Sequence, residues 1–252
     1  MTLEPDPERS ERLATAWQAC RDELVTFAAR LVVRVDVAEE VVQEAAVRML
    51  NAPMLPEEPE VLRAWLFRVV SNLGIDHLRR HSTWRETVLL DARDRARGDE
   101  AFRAESLLLR SSPETRSIAR EHLAVCLSCT SRNLAPEESA ALLLKEVYDF
   151  TNQEVGDMLG ATFGQAKNWV QSARAKLTAR YRETCALVTQ TGVCFQCVEL
   201  DQYFAANRGD PLAGSDRSLD ARLAILRDLR ATPMGPWHRR MMRLVDELLD
   251  EA

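Results

Sequence analysis

The sequence predicts an all-α protein, and three observations carry that reading. Only nine of its 252 residues are glycine, and the β-branched and aromatic runs of an all-β chain are missing. Long Ala/Leu/Arg/Glu-rich windows repeat apolar residues at helical spacing. Helix-start signatures of the form Asp/Thr-x-x-Glu/Gln, at Asp36–Glu39, Thr151–Glu154 and Thr162–Gln165, punctuate those windows. The length fits one large or two to three small domains. The spacing divides it into a helical unit over 10–82, a linker over 83–114, a second helical unit over 115–182 and a Cys-containing helical extension over 183–252.

In the first unit, Leu13, Trp17, Cys20, Leu24, Phe27, Ala28 and Leu31 keep helical spacing over residues 10–33. The spacing assigns Cys20 to the core. Asp36 and Glu39 then cap a second helix, whose buried face is Val37, Val41, Val42, Ala45, Ala46, Met49 and Leu50. Its opposite face carries Glu39, Glu40, Gln43 and Glu44. Three prolines between Asn51 and Pro59 end it. A third helix follows to near His81, with an apolar stripe of Leu62, Trp65, Leu66, Val69, Val70 and Leu73. Arg68, Asn72, Asp76, Arg79 and Arg80 line its other side. Cations and an amide on one face suit nucleic acid. The same face also fits a solvated surface with Asp76 pairing Arg79 or Arg80.

The segment from Arg85 to Pro113 is rich in Arg, Asp and Glu and poor in aromatics, which predicts a partly disordered linker. Leu107–Leu109 is a candidate short docking element within it. The second unit opens with a helix over 116–133, and Pro136 fits the first turn of the next, which runs to about Tyr148. Thr151–Glu154 starts a short helix with Val155, Met158 and Leu159 apolar, and Gly160 is a natural C-cap. Thr162–Gln165 starts a longer helix with a buried stripe of Ala166, Trp169, Val170, Ala173 and Leu177. A short helix, a Gly-containing turn and a basic helix make a helix-turn-helix, although an ordinary helical hairpin has the same outline. Gln165, Lys167, Asn168 and Gln171 would face outward near the start of the basic helix, where amides suit adenine and Lys suits guanine or phosphate. Arg174, Lys176, Arg180 and Arg182 would contact phosphates.

Cys126-x2-Cys129 and Cys194-x2-Cys197 have metal-ligand spacing, with Cys185 nearby as a fifth candidate. A Zn²⁺ joining the pairs would clamp the extension onto the helix-turn-helix; redox-responsive thiols and inert buried thiols are the other readings. In the extension, Leu219, Leu223, Leu226 and Leu229 mark one amphipathic helix. Trp237, Met241, Leu244, Val245, Leu248 and Leu249 mark another. These helices either pack on the second unit as core or mask a binding surface as a built-in regulator.

Net charge is −6, so composition alone does not announce a nucleic-acid binder. Its distribution says more. Asp36–Glu60 holds seven acids and one Arg, Arg63–Arg85 five Arg and one Asp, and Lys167–Arg182 five Lys/Arg and no acid. Separate acidic and basic surfaces suggest two kinds of partner. No apolar run approaches the roughly 18–20 residues of a membrane span. The polar, acidic start does not read as a secretion signal, so a cytoplasmic protein is expected, and cysteines there are thiols or metal ligands rather than disulfides. Four His, no Gly-rich phosphate loop, no HExxH and no nucleophile elbow argue against an enzyme.

Three of these stretches resemble one family. DVAEEVVQEAAVRML (36–50) is similar to the "DAEDLVQETFLRL" helix of extracytoplasmic-function RNA polymerase sigma factors, and RAWLFRVVSNLGIDHLRR (63–80) to their "AWLYRIARNLAIDHLRR" helix. Residues 134–177 resemble the family's region 4 helix-turn-helix, in the right order and at the right separation. The resemblance covers about residues 10–182. It implies two small domains, region 2 and region 4, on a flexible linker. It places Asp36, Glu40, Gln43 and Glu44 on the clamp helices of the polymerase β′ subunit and region 4 on the β flap. Trp65 becomes packing, Asn72 lies near the unstacked base of the −10 element, and Arg68, Arg79 and Arg80 contact DNA. Gln165, Lys167, Asn168, Gln171 and Arg174 would read and hold the −35 element. An anti-sigma factor is a further possible partner. Melting fits this chemistry, because an extruded base needs a pocket and the displaced strand needs cations. A subset of the family carries a similar CxxC arrangement around region 4, which implies a structural Zn²⁺ on Cys126, Cys129, Cys194 and Cys197.

The departures are specific. The family's "S-x-G-T-V-K-S-R-L" becomes Thr162-Phe-Gly-Gln-Ala-Lys-Asn-Trp-Val170, with Trp169 and Ser172 where bases are common. The loop over 51–60, where the family reads −10 bases, is acidic and Pro-rich. The alternative function is a helix-turn-helix regulator with Zn- or redox-responsive cysteines that is not a polymerase subunit.

Overall fold

The computed structural model describes residues 7–81, 88–102, 104, 115–184 and 218–251, and among these every regular element is a helix. α1 (Pro7–Val32), α2 (Val35–Asn51) and α3 (Pro59–Arg80) pack as the first bundle. Leu24, Phe27, Ala28 and Leu31 of α1 meet Val42 and Ala45 of α2 and Leu66, Phe67 and Val70 of α3 in one buried cluster. Gly74 marks the closest approach of α1 and α3, since a Cβ there would sit 2.8 Å from Leu31 Cδ2. The chain leaves α1 through Val33 in the left-handed region (φ 58°), which a β-branched residue adopts at a cost of about 1–2 kcal/mol. Burial of its side chain holds it there.

Two expectations for this bundle fail locally. α2 starts at Val35 with Arg34 as N-cap and no side-chain cap, so Asp36 and Glu39 form no capping box. Arg34 takes the Asp36 carboxylate into an ion pair at 3.1 Å instead. Leu50, assigned to the core stripe, is 64% exposed. The stripe runs through Val42, Ala45 and Met49, and a step of about 100° per residue carries Leu50 off its edge. Cys20 is buried as expected, and burial pushes its thiol up to about 11.

α5 (Thr115–Ser131), α6 (Pro136–Glu146), α7 (Asn152–Leu159) and α8 (Phe163–Thr184) form the second unit. Pro136 opens α6, and Thr151 and Glu154 exchange the reciprocal bonds of a capping box. Gly160 ends α7 in the left-handed region (φ 66°, ψ 36°), a conformation that glycine adopts without a Cβ clash. Thr162 and Gln165 form the third box, with Gln165 N–H on Thr162 Oγ1 at 3.2 Å and Thr162 N–H on Gln165 Oε1 at 2.9 Å.

The linker stretch contains α4 (Val88–Gly98), which the composition concealed. Its Val88, Ala92 and Ala96, at i, i+4 and i+8, are buried. Their cluster includes Met241, Met242, Val245 and Leu249 of α10 (Pro236–Asp250). A stripe only three small residues wide among charges has little weight in composition. Leu107–Leu109 lies outside the described residues.

The two units pack on each other. Phe27 and Phe67 of the first bundle stand 5.4 and 4.9 Å, centroid to centroid, from Tyr148, which follows α6, and Phe150 adds a ring 5.1 Å from Phe67. Asp149 between those two residues adopts a left-handed φ of 64° that turns both rings inward. α9 (Leu219–Asp228) adds Leu219, Leu223, Ile225 and Leu226 to the same continuous core.

Candidate polymerase- and DNA-binding surfaces

α2 presents Asp36, Glu40, Gln43 and Glu44 to solvent on one side. Glu44 is steadied by Arg48 at 2.8 Å, one helical turn on. Burial works against ionisation of Asp36, but the hydrogen bond from Arg34 and the backbone N–H of Val37 outweigh it and hold the carboxyl below its ordinary value. Val47 and Leu50 continue this face and are 50% and 64% exposed. The sequence reading missed them as surface residues. Their spacing from Gln43, at i+4 and i+7, was the available signal.

α3 carries the second surface. Arg68, Asn72, Asp76, Arg79 and Arg80 are all exposed along its outer side, while Leu62, Leu66, Phe67, Val70, Ile75 and Leu78 are buried behind them. Trp65 is half-buried against the core. Asp76 lies 3.7 Å from Arg79. Arg79 also reaches Glu137 at the start of α6, an ion pair between the two units. His77 stacks on His81 at 4.4 Å, and burial, reinforced by His81, Arg34, Arg132 and Arg80, pushes it down to about 4. The positive end of α3 is therefore made by its arginines near neutral pH. The acidic loop before α3 is drawn onto α1, where Arg9 bonds the Ala52 carbonyl and Arg12 that of Pro56 at 3.2 Å. Met54 at its tip is 87% exposed.

The third surface is the start of α8. Gln165, Lys167, Asn168 and Gln171 are exposed. Gln165 spends its Oε1 on Thr162, so only its amide NH2 faces outward for a base. Phe163, in the first turn, is 50% exposed and was not singled out from the sequence. The phosphate row departs from expectation. Arg174 is half-buried and ion-paired with Glu146 at 3.2 Å and with Asp220 of α9, whose hydrogen bond raises the Arg174 pKa. Lys176 is held at 2.8 Å by Glu138, which also accepts from Ser172 Oγ at 2.7 Å. Burial disfavours charge on Glu138, but the Lys176 and Ser172 bonds prevail and lower its pKa. Sequence spacing gave these bases their outward register; three acids from α6 and α9, invisible to that spacing, claim two of them. Trp169 packs against the core, and Ser172 serves Glu138, so both family departures answer to packing.

Cys126 and Cys129 are buried on α5 and face different neighbours. Arg222 Nη1 donates to Cys126 Sγ at 3.4 Å, while Cys129 Sγ lies 3.7 Å from Met242 Sδ. Among the described residues no three metal-ligating side chains converge. Cys185, Cys194 and Cys197 lie outside those residues. No described helix is long and apolar enough to cross a membrane.

Residues 16–83, which span most of α1 through α3, match the family model described as Sigma-70 region 2. The chain is 30% identical over 165 residues to a probable ECF RNA polymerase sigma factor, SigI, of Mycobacterium tuberculosis, covering 66% of this chain and 54% of that protein. It is 29% identical over 175 residues to the ECF RNA polymerase sigma factor SigJ of the same species, covering 65% and 49%. With the ECF RNA polymerase sigma factor SigE of Mycolicibacterium smegmatis it shares 25% over 141 residues, covering 56% and 50%. The chain thus spans about half the length of the curated relatives it matches. The crystal structure of SigJ aligns at a TM-score of 0.44 and 24% identity, over 76% of this chain and 62% of that one. The region 2 match and these relatives together support the extracytoplasmic-function sigma factors as its family.

Proposed function

We propose that this protein is a promoter-specificity subunit that binds core RNA polymerase, directs it to promoters and assists melting of the −10 element. The observation that carries the reading is the pair of exposed rows on adjacent helices, acidic on α2 and basic with one amide on α3, within the residues that match sigma-70 region 2. Asp36, Glu40, Gln43 and Glu44 dock on the β′ clamp helices, and Val47 and Leu50 add apolar contact beside them. Asn72 stands where an extruded base would be held, and Arg68 and Arg80 neutralise the strand beside it. The melting step needs no chemistry from this chain. It needs a binding face that offsets unstacking, which costs a few kcal/mol per base.

Region 4 reads the −35 element with Lys167, Asn168, Gln171 and the free NH2 of Gln165. Phe163 adds an apolar contact suited to a thymine methyl. The chain does no catalysis; the polymerase does. With net charge −6, the free protein holds DNA weakly and in a salt-dependent manner. An anti-sigma partner would compete for the same α2 and α8 faces, and all of these contacts belong to the cytoplasm.

The cysteines are proposed as a structural Zn²⁺ centre, with Cys126 and Cys129 supplying two thiolates and Cys194 and Cys197 the others, Cys185 being a spare. A bound metal would supply a cross-link between α5 and the extension. On this side of the site the Cys126 sulfur already accepts a hydrogen bond from Arg222 Nη1 at 3.4 Å. Elemental analysis decides: about one equivalent of Zn fits, and less than half an equivalent with free thiols removes the clamp. The functional reading itself is tested by pull-down of core polymerase. Stoichiometric retention is expected, and no retention would sink it.

A further inference from the structure

The segment Leu219–Arg230 touches both units at once. Its apolar side (Leu219, Leu223, Leu226) lies in the shared core, and each of its five charged residues has a partner elsewhere. Asp220 holds Arg174 of α8, Arg222 stands 4.0 Å over the Tyr181 ring, and Arg227 holds Glu146 at 3.1 Å. Asp228 holds Arg120 of α5. Arg230 bridges the units directly, 3.0 Å from Glu23 of α1 and 3.1 Å from Asp149. In return, Arg30 of α1, buried and stripped of water, donates to the carbonyls of Leu226 and Leu229 at 3.1 and 2.7 Å. A cation at the carbonyl end of α9 meets the negative end of its dipole. Tyr148 Oη completes the joint on the Arg230 carbonyl at 3.2 Å.

The second tail helix fastens the linker. α10 buries Met241, Met242 and Val245 with Val88, Ala92 and Ala96 of α4, and Arg95 reaches Glu251 at 3.0 Å. At its far end Asp250 holds Arg34, the residue that also holds Asp36, at 2.8 Å.

This arrangement conflicts with the activity proposed above. A −10 and a −35 element lie about 25 base pairs apart, or about 85 Å at about 3.4 Å per pair. Helices packed in one core stand only about 8–10 Å from their neighbours, and the 22-residue α8 is about 33 Å long. Two units sharing a core cannot reach both elements. Two arginines expected on DNA, Arg79 and Arg174, are paired with Glu137 and with Asp220 and Glu146. The linker over 83–114 could span about 110 Å if extended, at about 3.4 Å per residue. Docked as α4, eleven of its residues cover about 16 Å instead of about 37 Å, and their packing on α10 ties the linker to the tail.

We propose that Leu219–Asp250 is an autoinhibitory clasp. It holds the two DNA-reading units closed, occupies Arg174, and shortens the linker by docking α4; core polymerase opens it. The inference rests on the sigma-factor reading. Arg227 and Arg230 belong to neither the DNA nor the polymerase surface, so they allow a clean test in the full chain. In the R227E/R230E double variant, both positions repel Glu146, Glu23 and Asp149. Small-angle scattering of the wild type should give a radius of gyration of about 18 Å, the value for a compact chain of this length. The variant should be larger by several ångströms and bind a promoter fragment, selected by the holoenzyme from a random library, about tenfold more tightly. An unchanged radius and unchanged DNA affinity, with core binding retained, overturn the clasp. Loss of core binding by the wild type overturns the sigma-factor reading instead. Hydrogen exchange on the wild type needs no variant. Amides of 92–95 and 223–226 should exchange faster in the holoenzyme than in the free protein, and equal protection in both contradicts opening.

Discussion

Asn72 is the residue whose removal should separate melting from docking. It is exposed on α3 between Arg68 and Asp76, far in sequence from the α2 acids, and nothing in the core depends on it. Asn72→Ala should slow open-complex formation about tenfold, about 1.4 kcal/mol, and leave core affinity within about twofold. Permanganate footprinting and a core-binding titration measure the two, and an equal loss in both would contradict the role given to Asn72. Phe163→Ala should abolish discrimination between thymine and uracil at one −35 position, read by competition binding of the holoenzyme. If thymine-to-uracil changes leave the wild type unaffected at every −35 position, Phe163 reads no methyl. Which side chains share an exposed helical face was legible in the sequence, because 3.6-residue spacing fixes it. The pairing of Arg174 was not, because Glu146 and Asp220 reach it only through tertiary contact; the Thr162–Gln165 box was read, but not that it takes the Gln165 Oε1.

At the scale of elements, α2 and α10 make separate predictions. Reversing charge at Glu40 and Glu44 (E40K/E44K) alters only exposed positions, so thermal unfolding should move little while core affinity falls at least tenfold. On α10, burial raises the Asp246 carboxyl from 3.8 to about 7, against the pull of Arg34 and with Asp36, Asp250 and Glu247 adding repulsion. The folded state therefore keeps a proton that the unfolded chain releases. Stability is unaffected below about pH 4, declines as pH rises from about 4 to about 7, and stays at the lower level above. Melting temperature should fall from pH 5 to pH 7.5, and Asp246→Asn should flatten that decline; an identical slope in the variant would exclude Asp246 as its source. Element positions were mostly readable: the Thr151 and Thr162 boxes, Pro136 and Gly160 bound α6 to α8 where the sequence put them. α4 was hidden because its buried stripe packs chiefly on α10, about 150 residues downstream, in a cluster that also includes Val33, Val125 and Cys129.

For the whole molecule, the order of helices is written in the sequence, and their closure into one core is not. Of the four rings that weld the units, spacing assigned only Phe27 to a core; Phe67, Tyr148 and Phe150 were not singled out in the sequence. No sequence spacing pairs Arg30 with the α9 carbonyls or Arg230 with Glu23. The closed state should thus depend on aromatic packing as much as on ion pairs. Tyr148→Ala should cost about 3–5 kcal/mol of stability by chemical denaturation, comparable to other large aromatic-to-alanine changes in a core. A loss under 1 kcal/mol would mean that the ring cluster does not hold the units together.

The central claim, that this chain gives core polymerase its promoter, is tested most directly by run-off transcription with purified core enzyme across genomic fragments. Discrete transcripts that appear only when the protein is added, and that are lost with E40K/E44K, are the predicted result. No protein-dependent transcript from any fragment, with the protein folded and core polymerase active on a control sigma factor, would contradict it.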